Sequence, residues 1–192
     1  MKDWVEKIPW TRELAGLVEP TNILILGAGE KATKYHTILS PMGKVVCVDR
    51  RKLPGVDIVV DLESQDWAAM IRGILVCDII VAEHLAEHLA NRIAFLQNCH
   101  WLLRDRKGLL ILEVPNWCHV LAHGNLEHKS TWSRMSFHSY VTADLFTVER
   151  IQYRWTNPIT FRNHYFPTEW LGRQVDRCTR QVSGLRFYLR AK

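Results

Sequence analysis

Four consecutive apolar residues, Ile23-Leu24-Ile25-Leu26, run directly into Gly27-Ala28-Gly29, and an acid, Asp49, closes the next apolar run, Val45-Val46-Cys47-Val48. Unbroken apolar residues over so short a length describe a strand buried on both faces, as in a parallel sheet covered by helices on each side. Glycines at the strand exit lack the Cβ that keeps a ligand away from the backbone. An acid about twenty residues further on stands where ribose hydroxyls are held in nucleotide-cofactor folds. The pattern specifies a βαβ unit with a nucleotide-type pocket at its carboxyl edge, and leaves open which cofactor fills it.

Periodicity extends the pattern. Helical spacing over 3–17 ends at Glu19-Pro20-Thr21-Asn22, before the first strand. After the glycine loop come a helix over 31–39, the turn Ser40-Pro41-Met42-Gly43, and a second strand over 44–48. A short third strand over 57–60 leads into Asp61-Leu62, a helix over 65–72 follows, and the fourth strand occupies 77–82. Residues 83–103 have helical spacing with a break near Asn91, and the fifth strand, 109–114, stops at Pro115. Beyond it, 146–155 and 185–190 alternate as strands, with a helix expected over 167–179. Alternating strands and helices predict an α/β class, a doubly wound Rossmann-like sheet, mostly parallel, with helices on both faces. Ligands of such sheets bind at the carboxyl ends of the strands.

A length of 192 residues suits a single domain. Its expected division is an N-terminal helix (1–20), a cofactor-binding half (21–116), and a substrate-side loop with closing strands (117–192). No apolar run approaches the roughly twenty residues that cross a bilayer, so no membrane partner is expected. The five cysteines are odd in number and scattered through apolar runs, which fits buried thiols in a reducing compartment and predicts a cytoplasmic protein. The net charge of +5 is uneven: from Ile151 onward eight Lys/Arg face two acids. That excess suits either a solvated face or an acidic or nucleic-acid partner. Oligomeric state is left open.

Taken in order, these residues resemble class I S-adenosylmethionine-dependent methyltransferases, in the group whose fourth strand runs into His-x-x-Glu-His. The likeness rests on the glycine loop, on Asp49 after its apolar run, on Asp61-Leu62, on Cys77 to Leu89, and on Leu109-Leu110-Ile111-Leu112-Glu113-Val114-Pro115-Asn116. It implies seven strands, the last antiparallel and inserted beside the fifth. It also implies S-adenosylmethionine as cofactor, with Gly27, Ala28 and Gly29 under its methionine and ribose. Asp49 would stand at the ribose, Asp61 and Leu62 at the adenine, and Glu83 with His84 near the methionine end, with Glu30 and Arg50 also counted among the cofactor-binding residues. Lys31 departs from a pattern that often has a third glycine.

Methyl transfer from a sulfonium is an in-line displacement, so few side chains need act chemically. A hydroxyl or amine acceptor requires a base, and the candidates are His84, then His123 and His128. The expected acceptor is a small molecule. Two other functions fit parts of the pattern. Gly27-Ala28-Gly29-Glu30-Lys31-Ala32 satisfies the dinucleotide fingerprint, and Arg50-Arg51 suits a 2′-phosphate, which describes an NADP-dependent oxidoreductase. A sheet of this kind can also serve as a non-catalytic binding module. His84-Leu85-Ala86-Glu87-His88 spells a zinc-protease motif, but at the mouth of a buried strand rather than within a helix. Cys118, His119, His123 and His128 match no tight zinc spacing, so no metal is expected.

Overall fold

The computed structural model describes residues 21–137, 139–156, 163–165, 168, 170 and 182–192. The helix expected over 3–17 lies outside the described residues, as does that over 167–179 apart from Thr168 and Trp170. In chain order the elements are β1 (Ile23–Leu26), α1 (Ala32–Leu39), β2 (Val45–Asp49), β3 (Ile58–Val59), α2 (Trp67–Arg72), β4 (Ile79–Glu83) and α3 (Arg92–Leu103). There follow β5 (Leu109–Pro115), α4 (Val120–His123), α5 (Tyr140–Leu145), β6 (Phe146–Thr156), β7 (Asn163–Tyr165) and β8 (Val182–Ala191).

The strands form one sheet in the order β3-β2-β1-β4-β5-β8-β6-β7. β1 to β5 pair in parallel, and β8 enters antiparallel between β5 and β6. This is the expected plan, extended by the three residues of β7, which pair antiparallel with β6 at the sheet edge. Leu26 lies level with Val48 on one side and Ala82 on the other, so the carboxyl ends of β1, β2 and β4 share one edge.

The alternation of side chains across each strand explains why these runs carry no polar positions. Leu24, Leu26, Val46, Val48, Ile80, Ala82, Leu110 and Leu112 enter one core with Trp67 of α2 and Phe95 of α3. Ile23, Ile25, Val45, Cys47, Ile79, Val81, Leu109 and Ile111 enter a second core with Ala32, Tyr35 and Leu39 of α1. Both faces of β1, β2 and β4 are therefore dry, and these strands need apolar residues up to their carboxyl ends.

The stretch 83–103 is divided at the expected place. A 3-10 turn, Ala86–His88, precedes α3, and the Asn91 side chain accepts the Ala94 N–H at 3.0 Å as the helix N-cap. Cys47, Cys77 and Cys99 are buried free thiols and Cys118 is partly buried; Cys178 lies outside the described residues. No helix among the described residues is long and apolar enough to cross a membrane.

Candidate functional site

At the carboxyl edge of β1, β2, β3 and β4 lies a cleft of about 450 Å³. Small-molecule sites commonly span about 300 to 1,000 Å³. Gly27, Gly29, Asp49, Arg50, Asp61, Leu62 and His84 line it, so seven of the twelve residues expected at the site come together there. Ala28, Glu30, Glu83, His123 and His128 do not line it. Ala28 is turned into the α1-side core and its N–H bonds Val48 O at 2.9 Å, while Glu30 is exposed on a 3-10 turn.

Gly27 and Gly29 have φ of 66° and 53°, which is why glycine stands at both. A Cβ on Gly27 would lie 3.0 Å from Leu85 Cδ1. Gly27→Ala is expected to cost about 1 to 2 kcal/mol through the left-handed backbone alone, read as a lower urea midpoint with an unchanged slope. An unchanged midpoint would show that the loop conformation is not required for stability.

The loop is held open by Asp49, which is 6% exposed. Its Oδ2 accepts the Gly29 N–H at 2.8 Å and its Oδ1 the Arg51 N–H at 2.9 Å. Arg51 Nε also donates to Oδ1 at 3.5 Å, so it is Oδ2 that retains a lone pair for a further donor in the cleft. On the far rim, Asp61 Oδ1 accepts the Glu63 N–H at 3.0 Å. Glu63 accepts the Ala90 N–H at 2.6 Å and the Lys129 ammonium at 3.0 Å, and these bonds lower its carboxyl pKa. The segment carrying Lys129 is pinned to the end of β4, where Glu87 O receives the N–H groups of Lys129 and Ser130 at 2.8 and 3.1 Å.

Beside the cleft the sheet buries a network of charges. Glu113 on β5 lies between Glu83 on β4 and Arg186 on β8 in the strand register. Arg186 Nε donates to Glu113 Oε2 at 2.9 Å and its Nη2 makes a shorter bond to the same oxygen. Arg154 on β6 reaches Glu113 Oε1 at 2.7 Å, passing over Gly184, where a Cβ would lie 2.9 Å from Arg154 Nε. Glu83 accepts the Tyr35 hydroxyl at 2.8 Å and stands 3.5 Å from the Lys31 ammonium, so Lys31, in place of a third glycine, closes this wall. Burial and then the Glu83 charge raise the Tyr35 hydroxyl, keeping it a donor. Burial would raise the Glu113 carboxyl, but the Arg186 charge, the His84 hydrogen bond and the Arg154 charge hold it far below the usual carboxylate range.

His84 closes the network at the cleft wall. It follows β4 with φ of 50°, its N–H bonding Glu113 O at 2.9 Å. Its Nδ1 faces Glu87 Oε1 at 3.2 Å, and its Nε2 lies 3.0 Å from Arg154 Nη1 and 3.5 Å from Glu113 Oε1. Burial opposes the cation, yet the hydrogen bonds to Glu113 and Glu87 and the Glu113 charge outweigh it, with Arg154 opposing, and push the ring up to about 9. Nδ1 therefore faces a carboxylate, while Nε2 faces both a guanidinium, which can only donate, and the more distant Glu113 carboxylate, so the ring is held firmly in this wall.

The other two histidines expected as bases sit elsewhere. His123 and His128 line a second cavity of about 330 Å³ with Arg92, Asn125, Lys129 and Ser130. His123 Nε2 faces Trp117 O at 2.5 Å and His128 Nδ1 faces Ala122 O at 3.2 Å. His123 ends the four-residue α4 and His128 lies on a loop, and neither stretch is long enough to carry a periodic signal that separates them from the cleft.

With this geometry in view, solved structures supply the comparison. A SAM dependent methyltransferase from Archaeoglobus fulgidus superposes with a TM-score of 0.63 over 98% of this chain and 93% of that one, at 14% identity. The Burkholderia thailandensis 1,6-didemethyltoxoflavin-N1-methyltransferase, solved with 1,6-didemethyltoxoflavin and S-adenosylhomocysteine, gives 0.62 over 100% and 80%, at 16% identity. The fold is that of these methyltransferases. A putative methyltransferase of Haloferax volcanii, in complex with the Trm112 activator, gives 0.61 over 98% and 92%, at 14% identity. No protein-family model and no curated protein matches the sequence. In this chain the methyltransferase fold inserts β8 between β5 and β6, and that insertion carries Arg186 and Arg154 to Glu113.

Proposed function

We propose that the cleft binds S-adenosylmethionine and that the chain transfers its methyl group to a small-molecule acceptor by in-line displacement. The observation that carries this reading is the sheet itself: its glycine loop and Asp49 sit in the order β3-β2-β1-β4-β5-β8-β6-β7 with β8 antiparallel. A dinucleotide domain of the usual kind continues the parallel order 3-2-1-4-5-6. The same six residues that satisfy the dinucleotide fingerprint therefore stand in a sheet built on a different plan, which favours the adenosyl sulfonium over NADP.

The residues present fit that cofactor. Gly27 and Gly29 form a cradle that side chains would fill, Asp49 offers a buried acceptor oxygen to the ribose hydroxyls, and Leu62 and Asp61 offer an apolar wall and an acceptor to the adenine. The bound sulfonium supplies the electrophilic methyl group. The protein's part is to align the acceptor with it and to exclude water. His84, held by Glu87 at Nδ1 and by Arg154 and Glu113 at Nε2, orients this wall of the cleft.

A small-molecule acceptor is supported by where the basic residues go. Of the eight cations that follow Ile151, Arg154 and Arg186 are buried on Glu113, and Arg190 pairs with Glu149 at 2.8 Å. The first two of these charges are neutralised in the interior and the third is paired at the surface, while Arg162, Arg173, Arg177 and Arg180 lie outside the described residues. The test is release of S-adenosylhomocysteine in the presence of small hydroxyl- and amine-bearing acceptors and of RNA oligonucleotides. Turnover is expected with a small molecule; turnover confined to RNA would overturn this acceptor class.

A further inference from the structure

We propose that Glu87, His88 and His128 form a binding site for one divalent first-row transition ion, where the cofactor cleft meets the second cavity. The site stands whichever cofactor the cleft takes. One donor atom from each of the three residues lies within 4.8 Å of the other two. Ligands about 2.0 to 2.1 Å from a tetrahedral ion lie about 3.4 Å apart, so the widest pair need close by no more than about 1.4 Å. His128, partly buried, lies on a loop outside the helices and strands, and a shift of that loop supplies the movement.

The state of each donor points to a cation. Glu87 is 1% exposed, and its Oε2 has no hydrogen-bond partner among the described residues, while Oε1 is engaged by His84. A buried carboxylate oxygen without a donor is costly, and a metal ion supplies what the protein does not. Both imidazoles are already turned as ligands. His88 Nδ1 faces Glu127 O at 3.3 Å and His128 Nδ1 faces Ala122 O at 3.2 Å. A carbonyl requires a proton on Nδ1, which leaves the Nε2 lone pair of each ring for a metal, and a backbone carbonyl behind a histidine is the usual support of a metal ligand. Two imidazoles and one carboxylate suit first-row transition ions better than Mg²⁺ or Ca²⁺, which take oxygen ligands.

His88 lines the cofactor cleft and His128 the second cavity, and Lys129 lines both. Three protein donors leave a coordination position for water or for an oxygen of an acceptor. A second cluster, His36, Cys47 and Asp57, has similar spacing but no donor to spare. Burial, then Asp57, pushes the Cys47 thiol up to about 12, and Asp57 Oδ2 already accepts the Cys47 N–H at 2.7 Å and faces His36 at 3.0 Å.

The test titrates chelator-treated protein with Zn²⁺ by calorimetry and with Co²⁺ by visible absorption. One ion per chain is expected, with Co²⁺ ligand-field bands and a Zn²⁺-dependent rise in Tm. His128→Ala and Glu87→Gln should each weaken Zn²⁺ at least tenfold and remove the bands, whereas His36→Ala should bind as the wild type does. Should Glu87→Gln not fold, His128→Ala, on a loop, still decides the matter. Absence of stoichiometric binding by folded wild-type protein, or binding that survives His128→Ala and is lost in His36→Ala, would overturn the site. S-adenosylhomocysteine affinity, measured in parallel, reports on the cofactor cleft separately.

Discussion

Replacing Glu113 by Gln is expected to destabilise the fold by about 3 to 5 kcal/mol, the usual consequence of removing one partner from a buried ion pair. The side chain keeps its shape, so the loss is one of charge. Arg186 is 1% exposed and Arg154 is 9% exposed, and both guanidinium groups then lose the carboxylate they share, with Glu83 Oε1 3.8 Å from Arg186 as the nearby anion. The effect is read as ΔG from urea denaturation; a change under about 1 kcal/mol would show that these cations are compensated elsewhere. Exchanging Glu113, Arg186 and Arg154 together for apolar residues of similar size should recover much of the loss, because buried ion pairs and triads are often no better than a packed apolar replacement. The acid limb gives an independent reading. A carboxylate whose pKa is depressed by folding stabilises above its unfolded value near 4.5, and that contribution fades as pH falls toward the folded value. Wild-type stability should therefore decline below about pH 5 more steeply than that of Glu113→Gln.

Asp49→Ala is expected to weaken S-adenosylhomocysteine by about tenfold to a hundredfold, since it removes charge-assisted hydrogen bonds worth roughly 1.5 to 3 kcal/mol. Two effects combine. The ribose loses its acceptor, and the glycine loop loses the bond from Gly29 N–H that fixes its approach. Asp49→Asn keeps one acceptor oxygen and should fall between the two. Isothermal titration separates these cases, and equal affinity in wild type and Asp49→Ala would mean that the ribose lies elsewhere in the cleft.

Four of the five parallel strands, β1, β2, β4 and β5, were legible because both faces of each are buried, so a long apolar run has one reading. The rim of the cleft was legible for the same reason: Gly27, Asp49 and Asp61 are the first residues to interrupt their runs, and His84 follows Glu83, which interrupts the fourth. Neighbours of the rim were harder to place. Ala28 follows Gly27 in the chain yet points to the α1-side core, and Glu83 precedes His84 yet turns toward Tyr35. Sequence adjacency does not resolve which way such a side chain faces.

The charge network was hidden by a pattern that usually means something else. In 185–190, Leu, Phe and Leu alternate with Arg, Tyr and Arg, which reads as a strand with one wet face. In the structure both faces of β8 are covered, with Tyr188 in the α1-side core and Arg186 on Glu113. The available signal was Glu113, a lone acid inside Leu109–Pro115, which demands a buried cation from another strand. α4 and α5, of four and six residues, are too short to show a period, and the strand of three residues at the sheet edge likewise left no pattern.

Titration calorimetry of the wild-type protein with S-adenosylmethionine, S-adenosylhomocysteine and NADPH tests the central claim most directly. One molecule of either adenosyl ligand should bind per chain, competitively with the other, and NADPH should not bind. Binding of NADPH with no response to either adenosyl ligand would contradict the assignment of the cleft.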